Sequence, residues 1–229
     1  MPAVLTAFVL SAFTTSCNDN KKNIGPDDNS MIDFVTLTSA EKGGFTVTVC
    51  KGDDAPLATL TFADQKINTD IVKVGQRFLL SYMTESGLAY QSGPATAYAY
   101  RPILNAVLTE GTEASTNHWS TYNQEVNMMW RTHNFINVMA VCDYVAAPSK
   151  YALVVDKATL DQEIPTAYLL YEPDKGVEGK TSAYYATFDI SSVWSQDKYK
   201  GLRVIYIDNY SQPRTVSFTK SGSEVIKPS

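Results

Sequence analysis

The chain has 229 residues and a net charge of −5 at neutral pH, and 44% of its residues are hydrophobic. This length and composition suit one large domain or two small domains with proper cores. The negative charge gives no general attraction to nucleic acid or anionic lipid, so we expect no nucleic-acid partner.

Residues 1–16 have the character of a bacterial lipoprotein signal peptide. They contain no charged side chain, and the small residues Thr14–Ser16 directly precede Cys17. Their apolar run is too short to span a bilayer, which needs roughly twenty apolar residues. We therefore predict that Cys17 is the lipidation site and the first residue of the mature chain. The alternative is a core strand that ends at an ordinary buried cysteine.

The apolar run lacks the Lys or Arg that normally precedes it in a signal peptide. We therefore expect the true translation start upstream, or a miscalled initiator at Met1. Residues 17–31 are rich in Asn, Asp, Lys, Gly and Pro, without apolar periodicity, and are predicted to be a flexible tether. Together the two segments indicate an outer-membrane lipoprotein, on the periplasmic side or at the cell surface.

Alternation of apolar and polar residues predicts five strands in the next part of the chain. A turn-like KGDDAP sequence joins the second and third, which predicts a hairpin. Pro102 is expected at a bend or an edge. This count fits a five-stranded OB-like barrel over residues 32–110. The predicted strands are Asp33–Ser39, Phe45–Cys50, Leu57–Ala63, Gln76–Thr84 and Thr96–Thr109.

Seven further short strands follow a polar break, and this pattern predicts a β-sandwich over residues 111–229. No window of twelve residues has helical periodicity, so the whole chain is predicted to be all-β. The seven candidates are Asn127–Thr132, Phe135–Val145, Tyr151–Asp156, Thr166–Glu172, Ala183–Ile190, Leu202–Asp208 and Arg214–Thr219.

Three short motifs occur in the order found in penicillin-recognising enzymes: Ser39–Lys42, Ser115–Asn117 and Lys180–Ser182. In those enzymes the nucleophilic serine begins a helix, and the lysine follows one turn later. Here the first motif runs into a Gly-Gly turn between two predicted strands. We therefore predict that the protein is not an enzyme and has no catalytic residues.

The sequence offers little for a metal or a cofactor. His118 and His133 are the only histidines, and neither has a second histidine or a cysteine at ligand spacing. There is no phosphate-binding glycine loop and no dinucleotide fingerprint, so no cofactor is expected. Cys50 and Cys142 could form a disulfide in an exported protein, but two independent thiols are the favoured interpretation.

Fourteen tyrosines are the most distinctive side chains, and many fall in pairs on predicted strands. We single out Tyr98, Tyr100, Tyr184 and Tyr185 as weak candidates for ligand binding. Adjacent Tyr184 and Tyr185 must point to opposite faces of their strand. Exposed aromatic rings can stack on sugars or anchor a protein interface. Aromatic pairing that simply stabilises a sheet is the favoured alternative.

The chain resembles the NigD-like lipoproteins of gut and oral Bacteroidetes. The resemblance lies in Val72–Tyr82, Ala97–Thr109, Phe135–Tyr144 and Tyr185–Val193, which span nearly the whole mature chain. It implies a lipoprotein signal, an OB-like domain and a β-sandwich, and it implies no catalytic residues. The sequence lacks the family's n-region lysines, and its tract after Cys17 is less acidic than usual.

We expect a lipid-anchored envelope protein that binds another envelope or secreted protein, with an open edge of the sandwich or the inter-domain cleft as the contact surface. An open edge strand can accept a strand from a partner. Glycan binding through exposed tyrosines is the alternative, and a hydrolase is the least favoured interpretation. The ligand, the oligomeric state and the face of the envelope stay open.

Overall fold

The structure is a computed structural model, and it describes residues 30–50, 52–112, 124–143, 150–172 and 181–220. The chain divides into two compact units between Ile103 and Leu104. The predicted all-β fold is confirmed, with a five-stranded barrel and further sheets. Cys17 and the predicted signal and tether lie outside the described residues, except that Ser30 and Met31 are described.

The first unit is a closed barrel with the strand order β1-β2-β3-β5-β4, which is the order of an OB-fold. The antiparallel pairing of β2 with β3 confirms the predicted hairpin. The five strands are β1 (Met31–Glu41), β2 (Gly44–Val49), β3 (Ala58–Ala63), β4 (Arg77–Thr84) and β5 (Gly93–Pro102).

Alternating residues of these strands fill the barrel, as the sequence pattern predicts. Leu37, Leu60, Phe62, Phe78 and Leu80 are completely buried. The turn from β1 to β2 depends on Gly44, whose φ is +146°. A Cβ at this position would lie 2.2 Å from the carbonyl oxygen of Phe62, so only glycine fits.

The second unit contains two sheets around one core. One sheet has the order β14-β13-β11-β10-β7, and the other has the order β6-β12-β9-β8. All seven predicted strands are present. The nine strands are β6 (Leu104–Val107), β7 (Thr109–Gly111), β8 (Glu125–Thr132), β9 (Phe135–Asp143), β10 (Lys150–Asp156), β11 (Thr166–Glu172), β12 (Thr181–Asp189), β13 (Gly201–Ile207) and β14 (Pro213–Thr219).

Helical structure in the described residues is limited to two short elements. A 3-10 turn covers Lys157–Thr159, and α1 covers Ser191–Trp194. The aromatic ring of Trp194 at the end of α1 lies against the guanidinium of Arg131 on β8, 4.3 Å from the ring centre. Arg131 is 1% exposed, so this contact belongs to the interior of the unit.

The single strand predicted over Thr96–Thr109 is wrong. β5 ends at Pro102, and the following residues form β6 and β7, which pair with β12 and β10. Residues 104–110, which the sequence pattern assigned to the barrel, therefore lie in the two sheets of the second unit. Apart from Pro102, no turn residue marks this break, so the alternating pattern continues across it.

Candidate functional site

The barrel carries an open cleft, the barrel groove, where β3 and β5 meet. Its volume is about 560 Å³, within the range of roughly 300–1,000 Å³ of ligand sites. The groove is lined by residues from β3, from β5 and from the segments that follow β3 and β4: Thr61, Ala63, Asp64, Gln65, Glu85, Gly93, Pro94, Ala95 and Thr96.

The groove forms because β3 and β5 pair over a very short length. Their parallel ladder contains only Leu60 with Gly93 and Thr61 with Pro94. Pro94 has no N–H to extend the ladder. Further along, the side-chain amide of Gln65 replaces the missing backbone: its Nε2 donates to the Ala97 carbonyl at 2.9 Å, and its Oε1 accepts from the Ala97 N–H at 2.8 Å.

The groove is lined by acidic and hydroxyl groups. Asp64 and Glu85 are exposed and supply carboxylates, and Thr61 and Thr96 supply hydroxyls. Its lining contains no histidine, cysteine, lysine or arginine. It contains no aromatic ring either, which is the group that usually stacks on a sugar.

A second polar cluster lies on the inner face of the barrel, around Asp33. Tyr82 donates to its Oδ2 at 2.9 Å, and Tyr90 donates to its Oδ1 at 3.0 Å. Burial raises the pKa of Asp33, and these two bonds offset only part of that shift. Burial, with the nearby Asp33 charge, also raises the pKa of Tyr82, and it raises the pKa of Tyr90 to about 12.

Cys50 and Arg77 lie near this cluster. Burial raises the pKa of the Cys50 thiol, and the positive charge of Arg77 offsets only part of the effect. A thiol with a raised pKa stays protonated and is a poor nucleophile. Arg77 is 5% exposed and donates to the Phe34 carbonyl at 3.0 Å. Burial lowers the pKa of Arg77 to about 10. We therefore assign this cluster a structural role in the barrel.

The sequence analysis did not identify the Asp33 cluster. The signal was the alternation of β1, which places Asp33 on the same face as the buried Val35 and Leu37. An acidic residue at an inward position needs hydrogen-bond donors, and Tyr82 and Tyr90 supply them. Neither tyrosine belonged to the pairs that the sequence analysis singled out.

Tyr98 and Tyr100 do not share a face of β5, although their spacing suggests it. Ser81 pairs with Ala99 and Tyr82 pairs with Ala97, so Tyr98 is the extra residue of a β-bulge. The Tyr98 hydroxyl contacts the Met83 sulfur at 3.8 Å. The Tyr100 hydroxyl accepts from the Asn68 N–H at 3.2 Å, and its ring packs edge-on against Phe78.

Tyr184 and Tyr185 point to opposite faces of β12. Tyr184 packs against the core of the second unit and stacks on Tyr151, with ring centres 4.4 Å apart. Tyr185 lies on the outer face with Thr187 and is half-buried. The four candidate tyrosines are thus divided between two units and form no continuous row in either.

The catalytic motif that the sequence analysis set aside has no catalytic geometry where it is described. Ser39 lies on β1 with its hydroxyl 2.8 Å from that of Thr46, and Lys42 lies in the turn after β1. In the described part of the chain, no group of three or more His, Cys, Asp or Glu side chains is placed to hold a metal ion. Cys50 is a free thiol, and the Cys142 side chain lies outside the described residues.

No helix in the described residues is long and apolar enough to cross a membrane. No protein-family model matches the chain, and no curated protein matches it. Solved structures do match. A NigD-like immunity protein from Bacteroides caccae is 10% identical, with a TM-score of 0.59, over 83% of this chain and 97% of that protein. The chain has the fold of this NigD-like protein.

Two further solved structures share this fold. A protein of unknown function from Bacteroides vulgatus is 13% identical, with a TM-score of 0.66, over 87% of this chain and 94% of that protein. A protein described as a lipoprotein, from Bacteroides fragilis, is also 13% identical, with a TM-score of 0.60, over 85% of this chain and all of that protein. None of these three solved structures is described as an enzyme.

Proposed function

We propose that this protein is a lipid-anchored envelope protein of the NigD-like family that binds a protein partner and catalyses no reaction. The observation that carries the proposal is the barrel groove. Its lining combines carboxylates, hydroxyls and small apolar residues, without an aromatic ring. Such a surface suits an extended peptide segment, which hydrogen-bonds along its length.

The charge of the groove indicates the chemistry of the segment. Asp64 and Glu85 lie in its lining, and no cationic residue lies there to neutralise them. A partner segment with lysine or arginine would complement these carboxylates. Because both acids are exposed, their attraction would be screened by salt, so binding should weaken as ionic strength rises.

The distribution of aromatic rings favours a protein partner over a glycan. A sugar-binding surface needs exposed rings in one plane, but Tyr100 and Tyr184 pack against their own units. Tyr210 is 75% exposed, but it lies in a turn with no second candidate tyrosine beside it in the sequence. The groove, which could hold a sugar by size, has no ring to stack on it.

We propose that Cys17 carries the lipid and anchors the protein to the outer membrane. The signal-like sequence before Cys17 supports this, as does the fold shared with a protein described as a lipoprotein. Cys17→Ala should leave the fold unchanged and release the protein from the membrane fraction. If the variant stays with the membranes, the anchor is wrong.

The partner is tested by photo-crosslinking on intact cells. A crosslinking amino acid at Thr96 in the groove should give a reproducible protein adduct, and one at Tyr210 on the second unit serves as the matched control. The double variant Asp64→Asn, Glu85→Gln should lose most of the adduct, since both changes remove charge and retain side-chain shape. Asn also tolerates the left-handed backbone of Asp64, whose φ is 58°.

Each outcome of this experiment decides between the candidate functions. A Thr96 adduct that depends on the two carboxylates supports a basic protein segment in the groove. Equal adducts at Thr96 and Tyr210 would contradict the groove as the binding site. A groove that captures no protein but binds oligosaccharide on a glycan array would favour the alternative.

A further inference from the structure

Among the described residues, β13 is the only strand that pairs with β14, so the outer edge of β14 is open within that part of the chain. In the β13–β14 pair, the hydrogen bonds from Asp208 N–H to Gln212 and from Lys220 N–H to Lys200 fix the phase of the ladder. Because antiparallel pairing alternates, even-numbered residues of β14 bond to β13 and odd-numbered residues face away. Thr215 and Ser217 therefore present their N–H and C=O groups to the open side of the sheet.

The other three edges of the two sheets carry features that limit pairing. β6 and β7 have four and three residues. β8 is longer, but its register shifts between Val126 and Met128, so Asn127 forms a bulge. Short length and bulges are the devices by which proteins protect edge strands. β14 has seven residues, and its register with β13 is regular throughout.

Charged side chains also protect edge strands from pairing with other chains. The charge on β14 is neutralised by an ion pair within its own hairpin. Arg214 is its only charged residue, and its Nε lies 2.6 Å from the Asp208 carboxylate. Burial alone would raise the pKa of Asp208. Hydrogen bonds from the backbone of Gln212 and Tyr210 and from Arg214 outweigh it, so the pKa lies below its usual range. Asp208 is thus ionised at neutral pH, and Arg214 is held by its own hairpin.

We propose that β14 pairs with β14 of a second copy of this chain, antiparallel and centred on Val216. In this register all seven residues overlap, and Thr215 of one copy lies opposite Ser217 of the other. Each such pair exchanges both backbone hydrogen bonds. This surface belongs to the second unit and is independent of the barrel groove.

The side chains of β14 suit this register. Val216 meets its equivalent on the core side, where it is buried in each copy. Arg214 lies opposite Phe218, so no like charges meet across the contact. On the outer face, Thr215 and Ser217 form small hydroxyl pairs, which are favourable between strands. A strand from a different protein need not have side chains that match β14 at these positions.

Two double variants of the full-length chain, purified in mild detergent, test the pairing and its register. T215E/S217E places Glu opposite Glu in both pairs, whereas T215K/S217E places Lys opposite Glu. Both variants carry the same S217E change, opposite Arg203 on β13 within the same chain. They differ only at position 215, which is exposed, so circular dichroism should show the same fold for both. Oligomeric state is measured by light scattering over a range of concentrations.

The natural chain and T215K/S217E should form a dimer as the concentration rises. The dissociation constant of T215E/S217E should be at least about tenfold higher, because a tenfold change needs only about 1.4 kcal/mol. A natural chain that remains monomeric would overturn the proposal. It would do so even if β14 pairs with a strand of a different protein. A dimer that persists equally in both variants would also overturn it, because the contact would then lie elsewhere.

Discussion

The side-chain amide of Gln65 forms two hydrogen bonds with the backbone of Ala97, one as donor at 2.9 Å and one as acceptor at 2.8 Å. This is the pattern that a neighbouring peptide group would provide in a β-ladder. It closes the barrel at the point where β3 and β5 no longer pair, and it also forms one wall of the barrel groove.

Gln65→Leu should destabilise the barrel by about 1–3 kcal/mol, because the Ala97 N–H and carbonyl both lose their partner. The measurement is hydrogen exchange at the Ala97 amide, together with urea unfolding of the full chain. Lys66→Met is the matched control, since Lys66 is the exposed neighbour of Gln65. Unchanged exchange at Ala97 would show that water replaces the amide without cost.

Gly44→Ala should destabilise the barrel by roughly 3 kcal/mol or more, because backbone strain and a steric clash of the new Cβ add together. The new Cβ would lie 2.2 Å from the Phe62 carbonyl oxygen, at a φ that alanine rarely adopts. Gly43→Ala provides the control, because nothing lies within 4 Å of its added Cβ. Similar urea midpoints for the two variants would contradict the expected difference.

Asp33→Asn should change how stability depends on pH. The pKa of Asp33 is raised above its ordinary value of 3.8 in the folded protein, chiefly by burial. The folded state therefore binds this proton more tightly, and the natural chain should lose stability as pH rises from 3.8 through the folded pKa. The asparagine variant lacks this loss.

The test of Asp33 is the difference in free energy of unfolding between the natural chain and the variant, measured from about pH 3 to about pH 7, a range that spans the titration of a raised carboxyl. The difference should move in favour of the variant as pH rises and then level off. Parallel curves would mean that the Asp33 pKa is the same in both states. Val35, on the same face of β1, carries no titrating group, so Val35→Ala gives a control for simple loss of packing.

Arg131 and Trp194 should show a favourable coupling of about 1–2 kcal/mol in a double-mutant cycle, because the guanidinium lies over the ring in a buried site. Trp194→Leu should cost more in the natural chain than in an Arg131→Met background. The reason is that the single variant leaves a buried charge without its ring. Additive costs would show that the ring does not stabilise Arg131, which also donates a hydrogen bond to the His133 carbonyl.

Period-two alternation was sufficient to predict the strands, since each buries one face. It predicted β2, β3 and their hairpin, and it predicted the seven strands from β8 to β14. It could not predict where one unit ends, because the alternation of β5 continues through β6 and β7. The change of unit is shown by the pairing of β6 with β12 and of β7 with β10, and these are long-range contacts.

The candidate sites were less accessible from the sequence. The hydrogen bonds of Gln65 depend on its side chain reaching a backbone group on a strand far along the chain. The bulge at Tyr98 reverses the face on which the following residues point, so spacing in the sequence could not predict that Tyr98 and Tyr100 point to different faces. Asp33 follows the alternation, but its two hydrogen-bond donors lie 49 and 57 residues further along the chain.

The parallel pairing of β6 with β12 has a consequence for how the chain folds as it is made. β6 emerges early, but its neighbour in the sheet is complete only at Asp189. Most of the second unit must therefore be available before this edge can close, and long-range pairing of this kind is slow. Until β12 is complete, this edge of the sheet stays open for longer than one whose paired strands are adjacent in the sequence.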